Sequence, residues 1–339
     1  MVCLNLRGLA GQVLMLVSCL MLLAAEAAMG AGEDMRTADG KPSGFVHVMT
    51  FGSKGDGVGQ FNYIEDFDFT ADGKYLLVTD ATNATVQVFD KTTGAYAREF
   101  GRKGTKPENL VKPEGVSVAP DGRIFIADFD TGYVKVYGSD FGHLKTFSKY
   151  GSEPGENIKS EFTCIYDGKY YMAEAGNHRV SVWDLDGKFL FTYGSLGSDN
   201  GQMNAPQACK VNNRGEFVVS DLGNNRIQVF DKEGKFLRTW GKSGYSEGAF
   251  QRPAGVSVDK YDNVYVTEIS NNRIQVFDRM GKLITQFGKK GDAVGEFGNL
   301  HGCIVDKETG WLYIGDTANN RVQVCKPTEQ MARKLAGQQ

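Results

Sequence analysis

Glu65, Glu114 and His301 are residue types that could share a divalent cation, and each stands near the start of a short run of strand character. Asp66 adjoins Glu65, and Gln207 holds the place matching Glu65 and Glu114 further along the chain. Asp80 and Asp128 end two apolar runs, and neither is followed five residues later by the Arg that follows Glu174, Asp221, Glu268 and Asp316 at that distance. Carboxylates that gather without cations raise one another's pKa or recruit a positive ion. Oxygen donors suit Ca²⁺, and an added imidazole admits Zn²⁺. The residues therefore predict a ligand-binding set of Glu65, Asp66, Glu114, Gln207, His301, Asp80 and Asp128, with Glu65, Glu114 and His301 as metal ligands. The plainer reading of the same residues is a hydrated acidic rim.

That set can converge only if distant segments occupy equivalent places, so the chain must be periodic. It is. The acidic residues Asp80, Asp128, Glu174, Asp221, Glu268 and Asp316 recur every 46–48 residues, and aromatic–Gly pairs from Phe51-Gly52 to Phe287-Gly288 recur every 43–50. Such a period marks an array or a propeller. Each unit holds four runs rich in β-branched and aromatic residues, separated by Gly, Asn and Asp turns. In the fifth unit these begin at Gly255, Asn263, Arg273 and Lys282. Four-stranded units repeated around an axis predict an all-β fold, a six-bladed β-propeller. The sixth unit stops after three runs, and the segment Gly44–Gly52 reads as an orphan fourth strand. The expected ring therefore spans residues 44–326, its last blade completed by the N-terminal strand.

The unit GAFQRPAGVSVDKYDNVYVTEISNNRIQVFDRMGKLITQFG resembles an NHL repeat, over about residues 44 to 325. The resemblance implies a six-bladed propeller of NHL type. It is poor for function, because members serve as interaction scaffolds, receptor sensor domains, RNA-binding modules and the peptidyl-hydroxyglycine amidating lyase. That lyase holds zinc with three His at the starts of inner strands. The matching positions here are Glu65, Glu114, Gln207, Ala254 and His301, with blade three ambiguous near Glu161 or Phe162. Only His301 fits, and three-ligand zinc needs three donors. The amidating activity is therefore excluded.

Residues 1–27 have a secretory signal layout: Arg7, an uncharged run from Gly8 to Ala25, then small residues. An uncleaved membrane anchor is the alternative. A linker over 28–43 and a tail over 327–339 complete the expected organisation. Export predicts a secreted or periplasmic protein. The formal net charge of -3 opposes nucleic-acid binding. Cys164, Cys209, Cys303 and Cys325 read as free buried thiols, with Cys164 and Cys209 about 10 Å apart on facing blades. The expected function is a binding or scaffold module whose top face takes a protein, peptide or small ligand. The alternative is a cation-dependent lactonase- or lyase-type enzyme at the channel mouth.

Overall fold

The third strands carry four-residue core segments, such as Ile-Gln-Val-Phe at Ile227–Phe230, that bury both faces against neighbouring sheets. The structure, a computed structural model, describes residues 32–104 and 106–337. The expected signal segment lies outside the described residues. Among the described residues, five four-stranded antiparallel sheets and one five-stranded sheet form the six blades. The inner strands are Ile64–Phe69, Pro113–Val118, Ser160–Tyr166, Pro206–Val211, Pro253–Val258 and Cys303–Val305. Each packs on the next in turn, and the sixth packs on the first. We call the face where these strands begin the top.

The sixth sheet draws on both ends of the described chain. Pro42–Phe51 runs antiparallel to Arg321–Pro327, with His47 opposite Cys325 and Phe51 opposite Val322. Two segments expected to be featureless carry structure. Asp34–Arg36, within the expected linker, adds a fifth strand beside Pro42–Phe51. Glu329–Leu335, within the expected tail, is an α-helix whose Met331 and Leu335 bury against the Phe45 cluster. Thr328 caps it by accepting from the Met331 amide at 3.2 Å.

Large side chains between sheets hold the ring together. Tyr171 of blade three and Phe217 of blade four lie 4.1 Å apart by ring centroids, and Phe125 stacks on Tyr170 at 5.3 Å. The inner strands approach so closely that a Cβ on Gly302 would sit 2.0 Å from the Glu65 carbonyl oxygen. The four cysteines are free and buried. Cys164 and Cys209, on neighbouring blades, share one buried cluster.

The second-to-third strand turn repeats one device in several blades. Arg226 donates from Nε to Asp221 at 2.8 Å, and its other nitrogens reach the carbonyls of Ser198, Asp199 and Gln202 in the preceding inter-blade loop. Arg179, Arg273 and Arg321 do the same. Asn224 ties Asp221 to the Gly197 carbonyl. The following Asn225 adopts φ 53°, a left-handed conformation that Asn tolerates and β-branched residues do not. The double Asn of the repeat is explained by these two jobs.

Candidate functional site

The starts of the inner strands place six side chains of four types around the top mouth: Glu65, Glu114, Glu161, Gln207, Ala254 and His301. Hydroxyls of the second strands fix the backbone there. Thr79 donates to the Glu114 carbonyl at 2.8 Å and Ser220 to the Ala254 carbonyl at 2.6 Å; Thr267 donates to the His301 carbonyl. Blades one, four and five thus set the mouth residue of the next.

Five of the six side chains form a polar chain that follows the ring. His301 Nδ1 of blade six lies 2.8 Å from Glu65 Oε2 of blade one. The two groups form an ion pair when His301 is protonated. His301 Nε2 meets the Tyr63 hydroxyl at 3.2 Å, and Asn299 reaches both at 3.4 Å. Glu65 faces Glu114 of blade two. Glu161 of blade three adjoins Glu114 and accepts from Gln207 Nε2 of blade four at 2.5 Å. Lys112 supplies a cation to Glu114 at 2.5 Å and lies 3.7 Å above the Phe129 ring. Ala254 is the break in the chain.

All five are buried, Glu65 and Glu114 being 2% exposed. Burial, with the Glu65 charge beside it, pushes the Glu114 carboxyl up to about 7. Burial and the Glu114 charge push Glu161 well above the usual carboxylate range. Two carboxyls this close cannot both ionise, so the pair holds one proton near neutrality. Burial opposes charge on His301, but Glu65 and, behind it, Glu114 outweigh that and raise its pKa. The ring can therefore accept or release protons and can meet a ligand with both donors and acceptors.

The structure brings Glu65, Glu114, Gln207 and His301 together. It sends the other expected residues elsewhere. Asp66 points down the channel to Lys210. Asp80 accepts from the amides of Asn62, Tyr63 and Asn83, and Asp128 from those of Val111 and Lys112. Their oxygens are occupied beneath the rim rather than turned to the mouth: two loop amides bind each, and Asp80 also accepts from the Asn83 side chain at 2.8 Å. In blade two Lys135 also takes over, donating to the carbonyls of Pro107 and Asn109. Among the described residues no group of three or more His, Cys, Asp and Glu is arranged to hold a metal ion. Glu65 turns to His301, whereas Glu114 turns to Lys112 and Glu161. Sequence reasoning missed Lys112 and Tyr63 and left Glu161 undecided against Phe162. Blade three starts with Ser160 in place of the Pro that marks the register in blades two, four and five, and this hid Glu161.

Comparison with known proteins bears on this fold. A family model described as "DUF5128: 6-bladed beta-propeller" matches residues 261–324. The chain is similar in structure to Kuenenia stuttgartiensis hydrazine synthase, with TM-score 0.56 and 13% identity over 79% of this chain and 96% of that one. It is also similar to a structural genomics protein of unknown function from Bacteroides thetaiotaomicron, with TM-score 0.63 and 16% identity over 83% of this chain and 75% of that one. The search of curated proteins gave no match. At these identities the likeness is one of fold: the protein is a six-bladed β-propeller, an architecture that often serves as a binding or scaffold module.

Proposed function

We propose that this chain is a binding module that engages a protein or peptide partner with its top face, a polar side chain of the partner entering the mouth ring. The observation that carries this reading is where the repeat breaks. Acid, Asn and Arg recur in the turns because every blade needs the same staple. The mouth positions differ in every blade except for the three glutamates, and they assemble a continuous run from His301 to Gln207. A fold does not need such a run, and burying it costs desolvation that a structural role would avoid. Around it, Val58, Tyr150, Leu196 and Tyr245 stand exposed on four inter-blade loops of the same face. Exposed aromatic and apolar tips around a polar centre suit a protein contact. The staple supports reading the units as NHL repeats. The layout of residues 1–27 supports export, so the partner is sought outside the cytoplasm.

The test is capture of secreted or periplasmic proteins of the source organism by the wild-type chain, by Glu65→Gln/Glu114→Gln, and by Tyr150→Ala/Tyr245→Ala. A partner held by the wild type and lost by both variants supports the reading. An unchanged captured set sinks it.

A second reading is an acid–base enzyme of lactonase or lyase type at the same mouth. The shared proton of Glu114 and Glu161, poised near pH 7, favours it. Turnover of a lactone panel that disappears in Glu114→Gln would support it; no turnover of any member above buffer would remove it.

A further inference from the structure

The channel has a second mouth, at the ends of the inner strands, and it opens into a cavity of about 370 Å³ to which all six blades contribute. That volume lies within the range of small-molecule sites. Its wall is an apolar collar of one residue per blade: Phe69, Val118, Ile165, Val211, Val258 and Val305. Its floor is charged. Lys210 and Asp68 line it, and Lys307 stands at the rim.

The hydrogen-bond inventory of the floor decides what it would take. The Lys210 ammonium has three donors, and all are used: Asp66 takes two contacts at 3.1 and 3.2 Å, and the Thr163 carbonyl takes one at 2.8 Å. It offers nothing to an anion. Asp68 is different. It accepts from the amides of Phe69 at 2.8 Å and Val118 at 2.7 Å, and no cation is in contact with its carboxylate. An ionised carboxyl has about four acceptor sites, so two remain. Protein encloses Asp68 on most sides, yet the cavity leaves it partly open to solvent. With two carboxylates against one ammonium, the floor carries an excess negative charge. At the rim, Lys307 donates to Asn213 at 3.1 Å and keeps its charge outward of the collar, which disfavours a second positive group there.

We propose that this lower mouth is a binding site for a small organic monocation: a primary ammonium head on Asp68 and an apolar body against the collar. The site is separate from the ring at the top mouth and stands or falls without it. Acceptors left over at the floor, donors exhausted there and an apolar wall above specify a ligand that donates from one end and is greasy in the middle.

The test measures binding to the full chain by ligand-observed NMR at pH 7.5, using butylamine, hexylamine and benzylamine. The matched controls are the alcohols and the carboxylates of the same carbon skeletons. The amines are expected to bind at least tenfold more tightly than either control, and hexylamine more tightly than butylamine. Asp68→Asn is expected to reduce amine affinity at least tenfold, whereas Glu114→Gln at the far mouth leaves it unchanged. If the amines do not bind, or if the carboxylates bind as well as they do, the proposal is overturned. Loss of amine binding in Glu114→Gln with retention in Asp68→Asn would place the site at the top and overturn it equally. If Asp68→Asn does not fold, the wild-type series and the Glu114→Gln control still decide.

Discussion

Lys210 of blade four spans the channel to Asp66 of blade one, its Nζ 3.1 and 3.2 Å from the two carboxylate oxygens. In a ring of six these blades are opposite, so the ion pair is a strut across the axis. Asp66 also accepts from the Val116 amide of blade two, and Lys210 donates to the Thr163 carbonyl of blade three. One pair thus ties four blades. Burial raises the Asp66 pKa against the pull of Lys210, which shows that desolvation is the larger effect on the carboxylate. Removing one partner strands a buried charge and costs about 3–5 kcal/mol. Replacing both need not. We predict that Lys210→Met and Asp66→Asn each lower stability by about that amount in urea melts. The double variant should lose clearly less than the sum. Additive losses would show that the two side chains act independently.

The mouth ring predicts a pH dependence whose sign follows from its raised carboxyls. Glu114 titrates near 7 in the folded chain and at its ordinary 4.5 when unfolded. Between those values the folded state binds more protons, so stability falls as pH rises. Glu161 and Asp68, also raised, act in the same direction, as does His301, whose stabilising charge is lost as pH rises through its elevated pKa. Urea melts from pH 5.5 to 8 should show stability declining with pH, and Glu114→Gln should make that slope shallower. An unchanged slope in the variant would show that Glu114 titrates normally.

The blade count was readable because the same acid, Asn, Arg and aromatic–Gly markers recur at a regular spacing, and each interval holds four runs of strand character. Glu65, Glu114, Gln207 and His301 could be placed at one mouth for the same reason: equivalent positions in a ring must converge. What periodicity cannot supply is the partner of a residue that breaks it. Asp80 and Asp128 look unpaired when only side chains are counted, since backbone amides leave no mark on a sequence. Lys210 sits 144 residues from Asp66, and their meeting depends on which blades face across the axis and how far a lysine reaches. Glu161 was obscured by Ser160, and Lys112 holds a position that is Tyr63, Lys159, Ala205, Arg252 or Asn299 in the other blades, so the repeat gives it no marker. The segment over residues 34–36 is too short and too polar for a strand pattern; it pairs because Pro42–Phe51 offers it an edge.

The repeated staple predicts that Arg is required and that Lys will not substitute. Arg226 makes one bond to buried Asp221 and three to loop carbonyls, a fan that only a planar guanidinium can serve. Arg226→Ala leaves Asp221, which is 0% exposed, without its cation. The expected loss is about 3 kcal/mol or more, and Arg226→Lys should recover less than half. Full recovery by Lys would mean that charge alone, not the fan, stabilises the turn.

The N-terminal segment should stabilise the ring through one side chain above others. Phe45 is fully buried, 5.2 Å by ring centroids from Phe287 and edge-on to Tyr265 at 6.3 Å, with the helix residues Met331 and Leu335 in the same cluster. Phe45→Ala empties that space where blade five, blade six and the C-terminal helix meet, at an expected cost of about 3–5 kcal/mol. His47 lies on the same strand but is partly exposed, so His47→Ala should change stability far less. Thermal and urea melts of the two variants give the comparison. Near-equal small effects would show that Pro42–Phe51 rests on the sheet edge without contributing to the core. A large effect confined to Phe45 would show that the strand is held by what it buries, since its backbone bonds to Arg321–Pro327 are intact in both variants.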